Sequence, residues 1–349
     1  MSTKPNLRNY TQDELILILE GLGEKPFRAK QIFKWLHKGA ETFDEMTDIS
    51  KALKEKLSEN FCIDNLVIEK KLVSKIDGTI KYLFRLNDGC FIESVIMKYK
   101  HGNTICVSSQ VGCNMGCRFC ASAIGGKLRN LETGEITDQL LKAQKDSGLK
   151  ISNIVMMGIG EPLDNFDNVI RFLKNANHEN GLYISARHIT VSTCGVADKI
   201  CELAKTGIPV TLSVSLHSPD NEKRSEIMPI NKKYPIEVLL SAAKQYIQKT
   251  GRRVSIEYAL ISGETDSLDF ADKLIKLLSA DLFHVNLIPV NNVDERSYKK
   301  SSSKQIKKFM DYLNNHGLNA TLRREMGSDI NAACGQLRKQ TMEQRGDNS

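Results

Sequence analysis

The stretch Cys113-Asn114-Met115-Gly116-Cys117-Arg118-Phe119-Cys120 places three cysteines on one short loop, with Cys-x-x-x-Cys-x-x-Cys spacing. Thiolates select soft metal centres, and three of them so close together suit an iron–sulfur cluster. A 4Fe–4S cube has four irons, so three protein ligands leave one iron open to another molecule. A structural zinc ion takes four ligands, typically from two Cys-x-x-Cys pairs, and the sequence has no second pair. The spacing therefore favours a cluster over zinc and over three unrelated core cysteines.

Beyond residue 103, apolar segments typical of buried strands alternate with amphipathic helical segments. Six strand–helix units predict an α/β fold, with a parallel sheet wrapped into a partial (β/α)6 barrel. The predicted strands are Thr104–Ser109, Ile154–Met157, His188–Ser192, Val210–Leu216, Val254–Leu260 and His284–Ile288, with Asn319–Leu322 as a further strand. Predicted helices between them include Gly134–Lys145, Val196–Lys205, Ile236–Gln248 and Leu268–Leu278. The three cysteines follow the first strand, at the end of the barrel where sites are built.

The remainder of the chain divides by its periodicity. Residues 1–62 have helical spacing and several lysines, which predicts an N-terminal helical accessory domain and a candidate RNA-binding unit. Residues 63–102 alternate with a period of two and contain Asn87-Asp88-Gly89, which predicts a short β-meander extension. The barrel is expected to span 103–325, and a C-terminal tail to span 326–349.

The composition is that of an ordinary globular protein. The chain has 349 residues, of which 41% are hydrophobic and 26% charged, and its formal net charge is +7. This modest excess of positive charge favours a polyanion over a membrane as partner. No apolar run is long enough to span a bilayer, and the first residues do not resemble a secretory signal. The odd count of nine cysteines fits a reducing compartment, so we expect a cytoplasmic protein. We also expect a monomer.

The cysteine loop (residues 113–120) resembles the signature of the radical S-adenosylmethionine (SAM) superfamily. In that superfamily the open iron binds the amino and carboxylate groups of SAM, and the reduced cluster splits SAM to give a 5′-deoxyadenosyl radical. The resemblance implies two cofactors, SAM and a 4Fe–4S cluster held by Cys113, Cys117 and Cys120. Polar residues at the strand ends supply the carboxylate, hydroxyl and amide groups that SAM needs: Glu161, Ser192, Ser215, His217 and Asn291.

Longer motifs resemble one family within that superfamily, the RlmN methyltransferases. They cover nearly the whole chain, and the last of them, which contains Cys334, is very specific. The motifs are Leu22–Ile32, Phe43–Thr47, Phe91-Ile92-Glu93-Ser94-Val95, Met228-Pro229-Ile230-Asn231 and Asp329-Ile330-Asn331-Ala332-Ala333-Cys334-Gly335-Gln336-Leu337. Enzymes of this family methylate carbon 2 of an adenosine in 23S rRNA and of the adenosine beside the anticodon in some tRNAs. The resemblance therefore implies both RNAs as partners, and an electron donor such as flavodoxin or ferredoxin.

The resemblance also implies a role for each matching residue. Cys334 takes a methyl group from one SAM, and a radical from a second SAM removes a hydrogen from that methyl group. The carbon radical adds to adenine, Glu93 accepts the proton from carbon 2, and Cys106 forms a transient disulfide with Cys334 to release the product. The positions that match the SAM-binding residues of the family are Gly160, Glu161, Ser192, Ser215, Leu216, His217 and Asn291.

Without the resemblance, simpler interpretations apply to the three catalytic candidates. Free cysteines are usually small core residues, so Cys106 and Cys334 would be expected to pack in the interior. A carboxylate in an apolar strand usually faces solvent, which would place Glu93 on the surface. The cysteines at positions 62, 90, 194 and 201 match no functional position and are expected to be structural.

Other functions remain possible at this point. Cfr-type enzymes, which methylate carbon 8 of the rRNA adenosine and confer antibiotic resistance, are close to the RlmN family. Arg323-Arg324 and Glu161-Pro162 are more similar to RlmN and favour carbon 2. A different radical SAM enzyme, such as a glycyl-radical activase, would not need Cys334. A non-enzymatic RNA-binding protein with a structural metal is the third possibility.

Binding of folded RNA requires cations for its phosphates, and the flipping of a base costs a few kcal/mol. The candidate phosphate contacts are Arg252, Arg253, Lys299, Lys300, Lys304, Lys307, Lys308, Arg323 and Arg324. Some of these side chains are expected to be ordinary surface charges.

Overall fold

The computed structural model describes residues 4–279, 282–291 and 298–332. Its N-terminal unit is helical, as the spacing of residues 1–62 predicts, and contains α1 (Gln12–Gly21), α2 (Phe27–Lys38) and α3 (Lys51–Asn60). Thr11 begins α1 with a capping box, in which side chain and backbone exchange hydrogen bonds with residue 14. The apolar faces of the three helices form a separate small core. None of the described helices combines the length and apolar character needed to cross a membrane.

A buried ion pair connects this unit to the barrel. Arg8 lies 2.8 Å from Asp138 of the first barrel helix, α4 (Thr133–Ser147), and neither side chain is more than 3% exposed. The same carboxylate accepts a hydrogen bond from the backbone N–H of Leu66 at 2.6 Å. A single buried carboxylate thus fixes the N-terminal unit and the start of the meander against the barrel.

The predicted meander is present. β1 (Val67–Val73), β2 (Ile80–Arg85) and β3 (Phe91–Tyr99) pair as antiparallel neighbours, and β3 pairs with β4 (Gly102–Cys106). The chain then forms a separate two-stranded hairpin, β5 (Gln110–Gly112) and β6 (Lys127–Asn130), which the sequence did not predict. The cysteine loop lies between the two strands of this hairpin.

The barrel strands are parallel, as the alternating pattern predicts. They are β4 followed by β7 (Ile151–Met156), β8 (Ile189–Thr193), β9 (Thr211–Ser215), β10 (Val254–Leu260), β11 (Phe283–Pro289) and β12 (Ala320–Leu322). In the main sheet the order is β1-β2-β3-β4-β7-β8-β9-β10-β11-β12, so the meander extends the parallel sheet at one edge. Six strand–helix units thus precede β12, in agreement with the predicted partial barrel.

Amphipathic helices connect the strands and cover the sheet. After α4 they are α5 (Phe166–Asn177), α6 (Ala197–Lys205), α7 (Asn221–Ile227), α8 (Ile236–Thr250), α9 (Leu268–Leu278) and α10 (Ser303–Asn315). Their buried faces pack with the strands into one continuous apolar core. The core makes the strand ends rigid, so the loops at one end can hold reactive side chains in fixed positions.

Candidate active site

A cavity of about 180 Å³ opens at the carboxyl ends of the parallel strands. All three cysteines of the cysteine loop line it, together with six of the seven residues predicted to bind SAM. Those six are Gly160, Glu161, Ser192, Ser215, His217 and Asn291. The seventh, Leu216, is fully buried, and its carbonyl accepts a hydrogen bond from Arg224 instead. The strand-end argument from sequence therefore located the cavity, and the side chain of Leu216 points into the core.

The hairpin of β5 and β6 fixes the cysteine loop over this cavity. Cys113 donates its backbone N–H to the carbonyl of Gly126 at 3.2 Å, and Arg118 donates to the carbonyl of Ile227 at 2.9 Å. Gly116 has a φ of 71°, a conformation that glycine adopts without strain. Both ends of the loop are therefore anchored to ordered backbone, which presents its sulfurs to the cavity.

The environment of the sulfurs favours a cationic centre. Burial raises the pKa of Cys113 to about 12 and that of Cys117 well above its ordinary value, and neighbouring thiols add to both shifts. A bound metal reverses this preference, because its positive charge deprotonates a coordinating thiol. Across residues 4–279, 282–291 and 298–332, no three His, Cys, Asp or Glu side chains are arranged to hold a single metal ion. Cys113, Cys117 and Cys120 all line one cavity, and their soft thiolates are the ligand type of an iron–sulfur cluster.

Two glycines after β7 allow the backbone to pass close to the hairpin. A Cβ on Gly160 would lie 2.5 Å from the Cβ of Gln110, and the φ of Gly160 is 105°. A Cβ on Gly158 would lie 2.7 Å from the carbonyl of Val107. These contacts explain why both positions in Gly158-Ile159-Gly160 are glycine, since a side chain at either would displace the cavity wall.

Glu161 is a buried carboxylate of this wall. It accepts hydrogen bonds from the backbone N–H of Cys194 at 2.7 Å and of Leu163 at 3.0 Å. Burial raises the pKa of Glu161, although these amide hydrogen bonds oppose the rise. A carboxylate in this position can accept hydrogen bonds from an ammonium group that enters the cavity.

His217 is held as a neutral donor. Burial and the charge of Arg224 lower the pKa of His217 to about 3. Its Nδ1 accepts a hydrogen bond from the backbone N–H of Ala259 at 3.0 Å, so the proton is on Nε2. The ring packs edge-on against Phe119 of the cysteine loop, with centroids 4.9 Å apart. His217 thus connects the wall of the cavity with the loop that carries the sulfurs.

Arg224 is a functional candidate that the sequence analysis missed. Its guanidinium, on α7, is fully buried and donates to the carbonyls of Leu216, Cys194 and Ser215 and to the side chain of Asn231. Within the described ranges it forms no ion pair with a carboxylate. Burial lowers its pKa to about 10, so the group stays cationic at neutral pH. This charge lies beneath the strand ends and favours negative charge in the cavity.

A second missed group is the carboxylate of Glu257 on β10. It accepts hydrogen bonds from Ser213 at 2.5 Å and from Asn286 at 3.0 Å, and Arg323 lies 3.9 Å away. The sequence did contain a signal for this group, because polar residues occur on three successive barrel strands. Burial of a polar residue inside a barrel is costly unless it is paired, so these residues could have been expected to contact one another. Arg323, a predicted phosphate contact, therefore lines the cavity, and its role as a phosphate contact stays a prediction.

The catalytic candidates Glu93 and Cys106 lie on β3 and β4. Glu93 is 4% exposed and pairs with Lys81 at 3.0 Å, so the expectation of a solvent-facing carboxylate was wrong. That expectation fails because both faces of the sheet are covered at this position. Cys106 is 5% exposed and packs in an apolar cluster with Met326 and Ala332. Cys334 lies outside the described residues.

The remaining cation candidates differ in their surroundings. Arg252 donates to the carbonyl of Val210 and to the hydroxyl of Thr211, which is a structural role. Lys300 pairs with Glu325 and Lys307 with Asp311. The others are exposed, namely Arg253, Lys299, Lys304, Lys308 and Arg324. The backbone carbonyl of Lys299 accepts a hydrogen bond from Ser262, which follows β10. Lys299 therefore lies at the carboxyl end of that strand, the same end of the barrel as the cavity.

A parallel partial barrel with a three-cysteine loop after its first strand defines the class of radical SAM enzymes. The family model for the radical SAM superfamily matches residues 107–274, and the model for the ribosomal RNA large subunit methyltransferase N-terminal domain matches residues 5–63. The chain belongs to the RlmN family of radical SAM methyltransferases, as its full-length relatives establish.

Three of these relatives show the extent of the similarity. Proteins named probable dual-specificity RNA methyltransferase RlmN from Clostridium novyi and Alkaliphilus oremlandii are each 55% identical to this chain. The similarity covers 96% and 97% of this chain, and 98% and 99% of the two relatives. The crystal structure of a radical SAM methyltransferase from Sphaerobacter thermophilus is 41% identical and has a TM-score of 0.90, with 96% of this chain and 99% of that chain covered.

These comparisons confirm the predicted family, fold class, transferase class and pair of cofactors. They do not assign roles to single residues. The predicted disulfide between Cys106 and Cys334 is not supported, because no disulfide joins two of the residues that the structure describes, and Cys334 lies outside them.

Proposed function

We propose that this enzyme methylates carbon 2 of an adenosine in 23S rRNA and of the adenosine beside the anticodon in tRNA. The observation that carries this proposal is the similarity, over nearly the full chain, to relatives named as dual-specificity RNA methyltransferases. Glu161, Pro162 and Arg323 line the cavity. The pairs Glu161-Pro162 and Arg323-Arg324 resemble RlmN more than Cfr-type enzymes, which favours carbon 2 over carbon 8.

The cavity residues fit the cofactors of the superfamily. Cys113, Cys117 and Cys120 would hold the cluster, while Glu161 and the polar strand ends would bind SAM. When bound, these groups supply the methyl group and the radical chemistry needed for an adenine C–H that is neither acidic nor nucleophilic. The protein's own contribution is to bind and orient these groups, and to place a proton acceptor and two thiols beside the adenine.

We assign the thiol roles to Cys106 and Cys334. Cys334 would carry the methyl group, and the thiolate of Cys106 would attack its sulfur to release the product as a disulfide forms. An external dithiol must then reduce that disulfide before the next cycle. Cys106 packs in the same cluster as Ala332. Ala332, the last described residue before Cys334, thus packs on the strand that carries Cys106, which supports the assignment of these two thiols to one reaction.

We assign the proton-acceptor role to Glu93. The carboxylate is buried, and the ammonium of Lys81 at 3.0 Å stabilises its charged form. β3 is adjacent to β4 in the sheet, so Glu93 lies on the strand next to the one that carries Cys106. A base in this position can accept the proton from carbon 2 once the carbon substituent has been added.

The partners and location follow from the same activity. We propose 23S rRNA and tRNA as substrates, and a small electron-transfer protein such as flavodoxin or ferredoxin as the donor. We further propose that the enzyme acts as a monomer in the cytoplasm.

Mass spectrometry of nucleosides from cells with and without this protein tests the proposal. The expected result is 2-methyladenosine at one 23S rRNA position and beside the anticodon of tRNA, lost when the gene is removed. Loss of 8-methyladenosine instead would establish the Cfr-type alternative, and no change in either nucleoside would refute RNA methylation.

A further inference from the structure

The turn between β1 and β2 holds the segment that leads to Cys334. We call residues 323–332, which follow β12, the C-terminal strap. The backbone N–H of Gly327 donates to Asp77 at 2.9 Å, and Asp329 accepts from the backbone N–H of Lys75 at 2.9 Å. Burial raises the pKa of Asp77, but amide hydrogen bonds including that from Gly327 outweigh it and lower the pKa to about 2. The carboxylate is thus charged at neutral pH, which strengthens the attachment.

The strap packs closely on the meander as well as bonding to it. A Cβ on Gly327 would lie 2.9 Å from the Cγ2 of Thr79 and 2.7 Å from the Cβ of Ala332. Gly327 and Asn331 both have left-handed backbone conformations, with φ of 63° and 49°. The strap therefore makes a tight turn against β2, and Ala332 is directed into the apolar cluster that contains Cys106.

Lys81 connects this turn with the proposed proton acceptor. Its ammonium lies 3.0 Å from the carboxylate of Glu93 and donates to the carbonyl of Asn331 at 3.1 Å. The side chains of Lys81 and Glu93 are each only 5% exposed. Lysine is rarely buried, because removal of its charge from water costs several kcal/mol. Lys81 contacts both the proposed proton acceptor, Glu93, and the segment that leads to Cys334. Such a buried lysine can fix the position of one relative to the other, which a surface ion pair cannot do.

We propose that Lys81 is a positioning residue, which holds the Glu93 carboxylate and the strap that leads to Cys334 in one fixed arrangement for methyl transfer. This inference rests on the proposed function of Glu93 and Cys334. The adenine must lie between the proton acceptor and the two thiols. A misplacement of about 1 Å between reacting groups costs roughly a hundredfold in rate. Without the ammonium of Lys81, the turn at Asn331 would lose the hydrogen bond that ties it to the Glu93 carboxylate, and this part of the strap could shift relative to β3.

Two substitutions of Lys81 test this proposal. Lys81→Gln removes the charge, and we expect kcat for RNA methylation to fall about a hundredfold while KM for RNA stays within about twofold. Lys81→Arg keeps the charge but changes the geometry, and we expect it to recover about tenfold of that loss. A wild-type kcat in either variant would overturn the proposal. So would a loss in Lys81→Gln that arginine does not recover, or one that appears as an equal rise in KM.

Hydrogen exchange measured without RNA gives an independent readout. In Lys81→Gln, the backbone amides of residues 326–332 should exchange faster, while those of β2 and β3 exchange as in the wild type. Asp77→Asn is the matched control, because it weakens the strap without touching Glu93, and it should accelerate the same amides. Unchanged exchange in Lys81→Gln would overturn the proposed attachment. If Lys81→Gln does not fold, Lys81→Arg decides the question by its kcat, which the proposal places about tenfold below wild type.

An activity assay of the wild-type enzyme distinguishes failure of this inference from failure of the proposed function. If wild-type protein with reductant and SAM forms no 2-methyladenosine, the proposed function fails. If wild type is active and both Lys81 variants are equally active, only the positioning role of Lys81 fails.

Discussion

Cys106 of β4 and Ala332 of the C-terminal strap pack in one apolar cluster, together with Met326. This contact brings the far end of the described chain to the strand that begins the parallel sheet. It thereby brings a buried thiol to the segment that leads to Cys334, although the two cysteines are far apart in sequence. The proposed thiol pair depends on this contact between strap and sheet.

Cys106→Ser should leave the methyl carrier intact but block release of the product. Serine cannot attack the sulfur of Cys334, so protein covalently linked to RNA is expected to accumulate. Denaturing gel electrophoresis with labelled RNA measures this species. Cys201→Ser is the control, since that thiol lies on α6 and contacts Gln245, and it should give no linked RNA. Full turnover by Cys106→Ser would contradict the assignment.

Cys117→Ser should abolish cluster binding. The loop would keep two sulfur ligands, and a cluster with two sites open is expected to be lost during purification. Iron content per chain and visible absorption after anaerobic reconstitution measure the outcome. Cys62→Ser, in the N-terminal unit, should retain wild-type iron. Equal iron in both variants would remove Cys117 from the ligand set.

Lys299→Glu should weaken RNA binding and reduce its dependence on salt. Lys299 is exposed at the cavity end of the barrel, and the loss of one phosphate contact lowers the salt slope by about 1. Lys300→Glu should have the smaller effect, because Lys300 already pairs with Glu325 at 2.8 Å. Lys249→Glu, at the opposite end of the barrel, is the control. Binding measured across salt concentrations would reject Lys299 as a phosphate contact if the slope stayed the same.

The N-terminal unit should lose stability in mild acid through His37. Burial lowers the pKa of His37 to about 4, while in the unfolded chain its pKa has the ordinary value of 6.5. As the pH falls, His37 is therefore protonated in the unfolded state before it is protonated in the folded state. The free energy of unfolding is highest above pH 6.5 and decreases as the pH falls towards 4. Between about pH 7 and pH 5 the loss is about 2 kcal/mol. Equilibrium unfolding at both pH values measures it.

Substitution of His37 should flatten this pH dependence. His37→Gln removes the titrating group, so the difference in unfolding free energy between the two pH values should shrink by about 2 kcal/mol. His101→Gln, at an exposed position, should leave the difference unchanged. A pH dependence that persists in His37→Gln would assign the acid sensitivity to other groups.

The regular elements were predictable because their apolar periodicity is strong. Segments such as Val254–Leu260 and Leu268–Leu278 match their predicted bounds, since core burial and not a distant partner determines them. The hairpin that carries the cysteine loop was not predictable in this way. Lys127–Asn130 is a short polar strand without alternation, and its pairing with Gln110–Gly112 depends on the loop between them.

The buried charges of the site were the main omission from the sequence analysis. Arg224 lies on a short polar helix and Lys81 in a strand, and on local pattern both look like surface residues. Their burial depends on partners far along the chain, such as the carbonyl of Cys194 and the carboxylate of Glu93. Periodicity placed Glu93 on the surface, because alternation does not reveal that both faces of a sheet are covered. Its role as proton acceptor, which the family resemblance implies, stays a prediction.

The most direct test of the account is the isotope content of the methyl group that reaches RNA. The enzyme would be freed of bound methyl groups, and then supplied with reductant, tRNA and SAM carrying a fully deuterated methyl group. Transfer through a methylated Cys334 that loses one hydrogen to a radical predicts 2-methyladenosine with two deuterium atoms in its methyl group. A product that retains three deuterium atoms would show direct transfer of the intact methyl group and would contradict the account.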